Sequence, residues 1–87
     1  MIKNRKILRY IKDCIKACKR NLAYLGCRGI SKSGLMISNI LTLMTLTEIY
    51  ALYKTADRTI TMEEFNVDFQ AKYKQMCERI TTCQRRL

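Results

Sequence analysis

Residues 35–53 read LMISNILTLMTLTEIYALY, a nearly continuous run of apolar side chains. The run is longer than an ordinary buried strand of about 4–8 residues, so it predicts a helix. Asn39 and Glu48 are its only strongly polar members. A helix that is apolar around most of its surface needs cover on several sides. The rest of the chain, or a membrane, must therefore provide that cover.

The chain before this run predicts an amphipathic helix over residues 3–25. Gly26 is placed to end that helix, and residues 26–34, with three glycines, predict a loop. Apolar side chains recur at spacings of three and four residues, which indicates one apolar stripe along the helix. The members of this stripe are Leu8, Ile11, Ile15, Cys18, Leu22 and Leu25.

A second amphipathic helix is predicted over residues 62–86. Thr61 and Glu64 have the spacing of a capping box, in which each side chain bonds a free backbone N–H of the first turn. Glu63 and Glu64 also lie where the helix dipole favours acids. The apolar stripe of this helix consists of Met62, Phe65, Phe69, Tyr73, Met76, Ile80, Cys83 and Leu87.

Together these patterns predict an all-α fold, a small antiparallel three-helix bundle with a central apolar helix. A length of 87 residues fits a single helical domain over residues 1–87. In this interpretation the two amphipathic helices, at 3–25 and 62–86, turn their stripes toward the central helix at 35–53.

The alternative is a single membrane span at residues 34–53, since about 20 apolar residues cross a bilayer. The basic N-terminal side would then stay in the cytoplasm or matrix. The chain would be a single-pass membrane subunit of a larger complex, or a small viral membrane protein. Glu48 argues against a span, because an ionised carboxylate in hydrocarbon costs about 2–3 kcal/mol even on the mildest scale.

The positive charge is concentrated at one end. The chain has a net charge of +10, and residues 1–32 contain ten Lys or Arg against one acid. Such asymmetry indicates an anionic partner: RNA, DNA or an acidic protein surface, with an anionic membrane as a further alternative. We therefore predict a non-catalytic binding protein or assembly subunit that docks this partner through the basic face of the first helix. The candidate binding residues are Arg5, Arg9, Lys12, Lys16, Lys19 and Arg20.

Catalysis, a metal site and a cofactor are not expected. Histidine is absent, and no glycine-rich phosphate-binding loop is present. An odd number of cysteines without a secretory signal predicts an intracellular, reducing compartment: cytoplasm, nucleus or mitochondrion. A Cys18–Cys83 disulfide would require an oxidising compartment. A thin core also leaves a homodimer or a larger assembly open. The five cysteines, whose redox state the sequence leaves open, are Cys14, Cys18, Cys27, Cys77 and Cys83.

Overall fold

The computed structural model describes residues 4–27 and 34–86, with the side chains of 4–27 and 34–80. These residues form three helices: α1 at Arg5–Cys27, α2 at Gly34–Lys54 and α3 at Met62–Arg86. The three helices pack together, and the described part of the chain contains no strand. The predicted all-α three-helix bundle is confirmed, whereas the antiparallel order and the single domain remain predictions.

The helix ends differ from the predicted ones by a residue or two. The prediction that Gly26 ends the first helix was wrong, since α1 continues through Gly26 to Cys27. Gly34 belongs to α2 and not to a loop. A glycine costs about 1 kcal/mol relative to alanine inside a helix, which neighbouring packing outweighs. Residue 3 and loop residues 28–33 lie outside the described residues.

The core lies where α2 contacts both of its neighbours. Ile11 of α1 and Ile49 of α2 are almost completely buried. Met76 is equally buried on α3. Burial of such side chains supplies most of the favourable free energy of folding. The largest buried cluster contains Ile7, Leu8, Ile11, Cys18, Leu46, Ile49, Tyr53, Ile60 and Phe65.

Phe65 of α3 connects all three helices through its ring. Its centroid lies 5.9 Å from that of Tyr10 on α1, with the rings at 85°. The ring centroid of Tyr53, on α2, lies 6.4 Å from that of Phe65, with the two rings at 72°. Both are edge-to-face arrangements, which aromatic pairs prefer to a face-to-face sandwich. Phe65 is therefore the residue at which α1, α2 and α3 meet.

Two polar side chains of α2, Tyr53 and Glu48, face groups of α3, although Glu48 Oε2 accepts no hydrogen bond among the described residues. The buried Tyr53 hydroxyl donates a hydrogen bond to Asp68 Oδ2 of α3 at 2.6 Å. Burial, and then this bond, raises the pKa of Tyr53. Glu48 Oε2 lies 3.7 Å from Lys72 Nζ of α3. The carboxylate that argued against a membrane span thus faces a cation within the bundle.

Asn4 joins the start of α1 to the connection between α2 and α3. Its side-chain Nδ2 donates to the Arg58 carbonyl at 2.9 Å. Its Oδ1 accepts from the Ile60 N–H at 2.7 Å. Asn4 has a φ of 66°, a left-handed conformation that Asn adopts more readily than most residues. One amide side chain therefore bridges two parts of the chain that are far apart in sequence.

The capping box at the start of α3 is half formed. The Glu64 N–H donates to Thr61 Oγ1 at 3.1 Å, as predicted. The Glu64 carboxylate, however, accepts from Arg58 Nη1 at 2.6 Å. This hydrogen bond lowers the pKa of Glu64. Glu64 thus stabilises the connection through Arg58.

Candidate anion-binding surface

The six basic residues predicted as the binding site all lie exposed on α1. Among the residues that the structure describes, none of these six side chains forms an ion pair or a hydrogen bond. Glu48 and Glu64, which pair with Lys72 and Arg58, belong to the other two helices. The positive charge of α1 is therefore not neutralised by the described part of the protein.

Lys12, Lys16 and Lys19 point away from α3, and Arg5 precedes them at the end of the helix where it lines a cavity with Met62 at the start of α3. The ring of Tyr10 contacts α3, and Lys12 and Lys19 follow it by two and nine residues. At about 100° per residue, both side chains lie about 180–200° around the helix axis from Tyr10. Arg5 and Lys16 lie within about 60° of them. We call Arg5, Lys12, Lys16 and Lys19 the basic row.

The remaining two predicted residues lie at the edge of this charged surface. Arg9 and Arg20 fall about 50–70° beyond the centre of the basic row, on the side turned from α2. Arg5, Lys6 and Arg9 also line an open cavity of about 400 Å³ beside the start of α1. The structure therefore places the six residues on one broad basic surface, with the basic row as the part nearest α2.

Part of α2 is apolar and uncovered, which the sequence did not predict. The exposed fractions of Ile37, Ile40 and Met44 are 44%, 40% and 43%. Thr47 and Ala51 continue the same exposed line at spacings of three and four residues. We call these five residues the open stripe. Residues at such spacings share one face of a helix.

Ile40 and Thr47 are the members of the open stripe that point away from α3. Ser38 Oγ lies 3.3 Å from the Tyr73 hydroxyl of α3. Ile40 and Thr47 follow Ser38 by two and nine residues, which places them on the opposite side of the α2 axis. Ile37 and Ala51 lie at the edges of the stripe: Ile37 is about 20° around the helix from Glu48, which pairs with Lys72 of α3, and Ala51 lines a cavity with the same lysine.

The basic row and the open stripe consequently share one face of the bundle. Helices α1 and α2 lie side by side, with Asn21 Nδ2 at 3.5 Å from Asn39 Oδ1 and with Cys18 and Leu46 in one buried cluster. Helix α3 covers one side of this pair. Packed helix axes are about 8–10 Å apart, so the basic row and the open stripe are direct neighbours on the other side. We call this the face opposite α3.

Helix α2 is also long and apolar enough to cross a membrane, and it is the one such helix among the described residues. Only 22% of its most apolar segment is buried inside the bundle. The sequence predicted cover for α2 on two sides, by α1 and α3. The structure shows that this cover leaves a third side open.

Among the described cysteines, Cys18 is buried in the core. Cys14, Cys18 and Cys27 are free thiols. Burial, and then the neighbouring Cys14, raises the pKa of the Cys18 thiol, which opposes the thiolate needed for nucleophilic attack. No group of three metal-ligating side chains occurs in the described part of the chain. The side chain of Cys83, and with it the Cys18–Cys83 pairing, lies outside the described residues.

Comparison with family models, with curated proteins and with solved structures finds no match to the chain. What this protein does must therefore follow from its own residues.

Proposed function

We propose that the protein is a non-catalytic binding protein, or a subunit of an assembly, that docks an anionic partner through the basic row of α1. One observation supports this most directly: Arg5, Lys12, Lys16 and Lys19 are exposed, lie on one face, and have no acidic partner among the described residues. By contrast, Lys72 of α3 lies 3.7 Å from the Glu48 carboxylate of α2.

Physical chemistry explains why such a row attracts an anionic surface. Four like charges along one helix sum to a local positive potential, which raises the encounter rate with an extended anion. An extended polyanion gains further from releasing its own condensed counterions. Both contributions weaken as salt is added, because the Debye length falls to about 8 Å at physiological ionic strength.

Reversing three charges of the basic row should abolish binding. In the variant Lys12→Glu, Lys16→Glu, Lys19→Glu we expect a loss of affinity on the order of a hundredfold or more, since each basic residue near an anionic surface contributes about 1 kcal/mol. The probes are a short RNA duplex and phosphatidylserine-containing vesicles at low salt. Circular dichroism should show unchanged helicity, because all three side chains are exposed.

A matched pair of variants separates the basic row from net charge. Lys19→Glu and Lys74→Glu change the net charge equally, and both lysines are exposed, one on α1 and one on α3. Only Lys19→Glu should weaken binding substantially. Equal effects of the two variants, or wild-type binding that does not respond to salt, would refute a role for the basic row.

The second candidate function is the single-pass membrane subunit, favoured by the length and the low burial of α2. It would require α2 to leave α1 and α3, which would expose the core side chains Ile11 of α1 and Phe65 of α3. We expect alkaline carbonate to release the expressed protein from membranes into the supernatant. Retention in the membrane pellet would favour the span instead.

A further inference from the structure

We propose that the face opposite α3 docks onto an anionic lipid bilayer, with the open stripe entering the interface and the basic row contacting lipid headgroups. This inference rests on the proposed function, because it names the partner of the same basic row. It adds the open stripe of α2 as the second half of the site.

The pairing of an apolar line with a cationic line favours a bilayer. A helix lying in the plane of a membrane buries its apolar face about 5–10 Å into the boundary between headgroups and acyl chains. Lysine and arginine beside that face meet the negative surface potential of anionic lipids. On this protein the two lines occupy adjacent helices, so Ile40 and Met44 can insert while Lys12 and Lys19 remain at headgroup level. The flexible lysine stems allow the charges to reach outward.

A nucleic-acid backbone fits the same face less well. Phosphates would satisfy the basic row, but they would leave Ile37, Ile40 and Met44 facing a polar backbone or water. No described aromatic side chain belongs to the open stripe, so the stripe itself offers no ring on which bases could stack. The open stripe would then contribute nothing to binding.

A second copy of the chain also fits poorly. A symmetric partner covering the whole face would set its own cations against the basic row or against the open stripe, and both arrangements are unfavourable. A partner covering only the open stripe would bury far less than the ~800 Å² per subunit of a stable interface. A bilayer avoids both difficulties, since its charge is opposite and its interior is apolar.

The test uses the full chain, with its thiols reduced, in vesicle flotation. One set of vesicles is phosphatidylcholine alone, and in the other roughly a third of the lipid is phosphatidylserine. We expect flotation with the anionic vesicles only, and release by added salt or by alkaline carbonate. A short RNA duplex at the same ionic strength serves as the parallel probe.

Two matched variants test the open stripe. Ile40→Gln and Val67→Gln each replace an exposed aliphatic side chain of a helix, Ile40 in the open stripe and Val67 on α3. We expect Ile40→Gln to weaken vesicle binding about fivefold, because insertion buries the exposed part of the isoleucine. Val67→Gln should leave vesicle binding unchanged. Ile40→Gln should also leave the solution structure unchanged, which circular dichroism checks.

Each outcome separates this inference from the proposed function. Anionic vesicle binding that depends on both Lys19 and Ile40 supports both proposals. Binding of RNA or of vesicles that depends on Lys19 but not on Ile40 overturns the bilayer inference and leaves the proposed function standing. Failure to bind either probe at low salt overturns the bilayer inference and reduces the proposed function to docking on an acidic protein surface. Resistance to carbonate also overturns surface docking and favours the span.

Discussion

Replacing Phe65 by alanine is expected to destabilise the protein by about 3–5 kcal/mol, the usual cost of removing a buried ring. A small domain has a total unfolding free energy of about 5–15 kcal/mol, so this variant should lose a large part of its stability. The physical reason is the position of the ring. Phe65 contacts Tyr10 of α1 and Tyr53 of α2, and the cavity left by alanine would lie where all three helices meet.

Chemical denaturation followed by circular dichroism at the helical bands measures this change. Val67→Ala is the matched control, because Val67 is only two residues away on α3 and 68% exposed. Surface substitutions of this kind usually change stability by less than about 0.5 kcal/mol. If the Phe65→Ala and Val67→Ala variants unfolded at the same denaturant concentration, the convergence of the three helices on Phe65 would be wrong.

The second large effect compares two isoleucines of one helix. Ile49 is 1% exposed in the core, whereas Ile40 is 40% exposed in the open stripe. Ile49→Ala should cost about 2–5 kcal/mol, since it removes a well-packed side chain from a site that cannot collapse fully. Ile40→Ala should cost less than about 1 kcal/mol, because alanine is the better helix former and little buried area is lost.

Denaturant midpoints of the purified variants in detergent-free buffer give the comparison. The contrast bears directly on how α2 is covered. A helix covered by lipid on all sides would not distinguish Ile49 from Ile40 in this way. Equal effects at the two positions would therefore contradict the bundle and support the membrane span.

The sequence predicted the elements of the fold better than the arrangement of α2. Spacings of three and four residues located α1 and α3 to within about two residues, because each has a single apolar stripe. α2 is apolar on almost every side, so its sequence does not indicate which side of the helix remains uncovered by α1 and α3. Only the contacts of Ser38 and Tyr53 with α3 identify the side that carries Ile40.

Local signals failed where a tertiary contact competed with them. Gly26 was predicted to stop α1, yet the helix continues to Cys27. Glu64 was predicted to reach back within its own capping box, but its carboxylate accepts from the Arg58 guanidinium instead. A hydrogen bond between two charged groups is stronger than one to a neutral backbone N–H. The partner, Arg58, precedes Thr61 in the chain and is not part of the capping-box pattern, so that pattern could not predict it.

The candidate site was predicted in part. Composition alone located the excess positive charge on the first helix, since charge counts need no structure. The separation of the basic row from Arg9 and Arg20 could not be predicted, because it depends on which side of α1 faces α3. The contact of Tyr10 with Phe65 shows that side. The open stripe was not predicted, because α2 is apolar on almost every side and its sequence does not show which side stays exposed. Binding by any of these residues remains a prediction.

The amide of Asn4 has a consequence for how the protein opens. It is bonded to the Arg58 carbonyl and to the Ile60 N–H, so the first turn of α1 cannot fray without freeing backbone groups that precede α3. Segments linked in this way tend to unfold as one cooperative unit. The N-terminal end of the basic row is therefore held in place by a distant part of the chain, and its local stability is shared with that part.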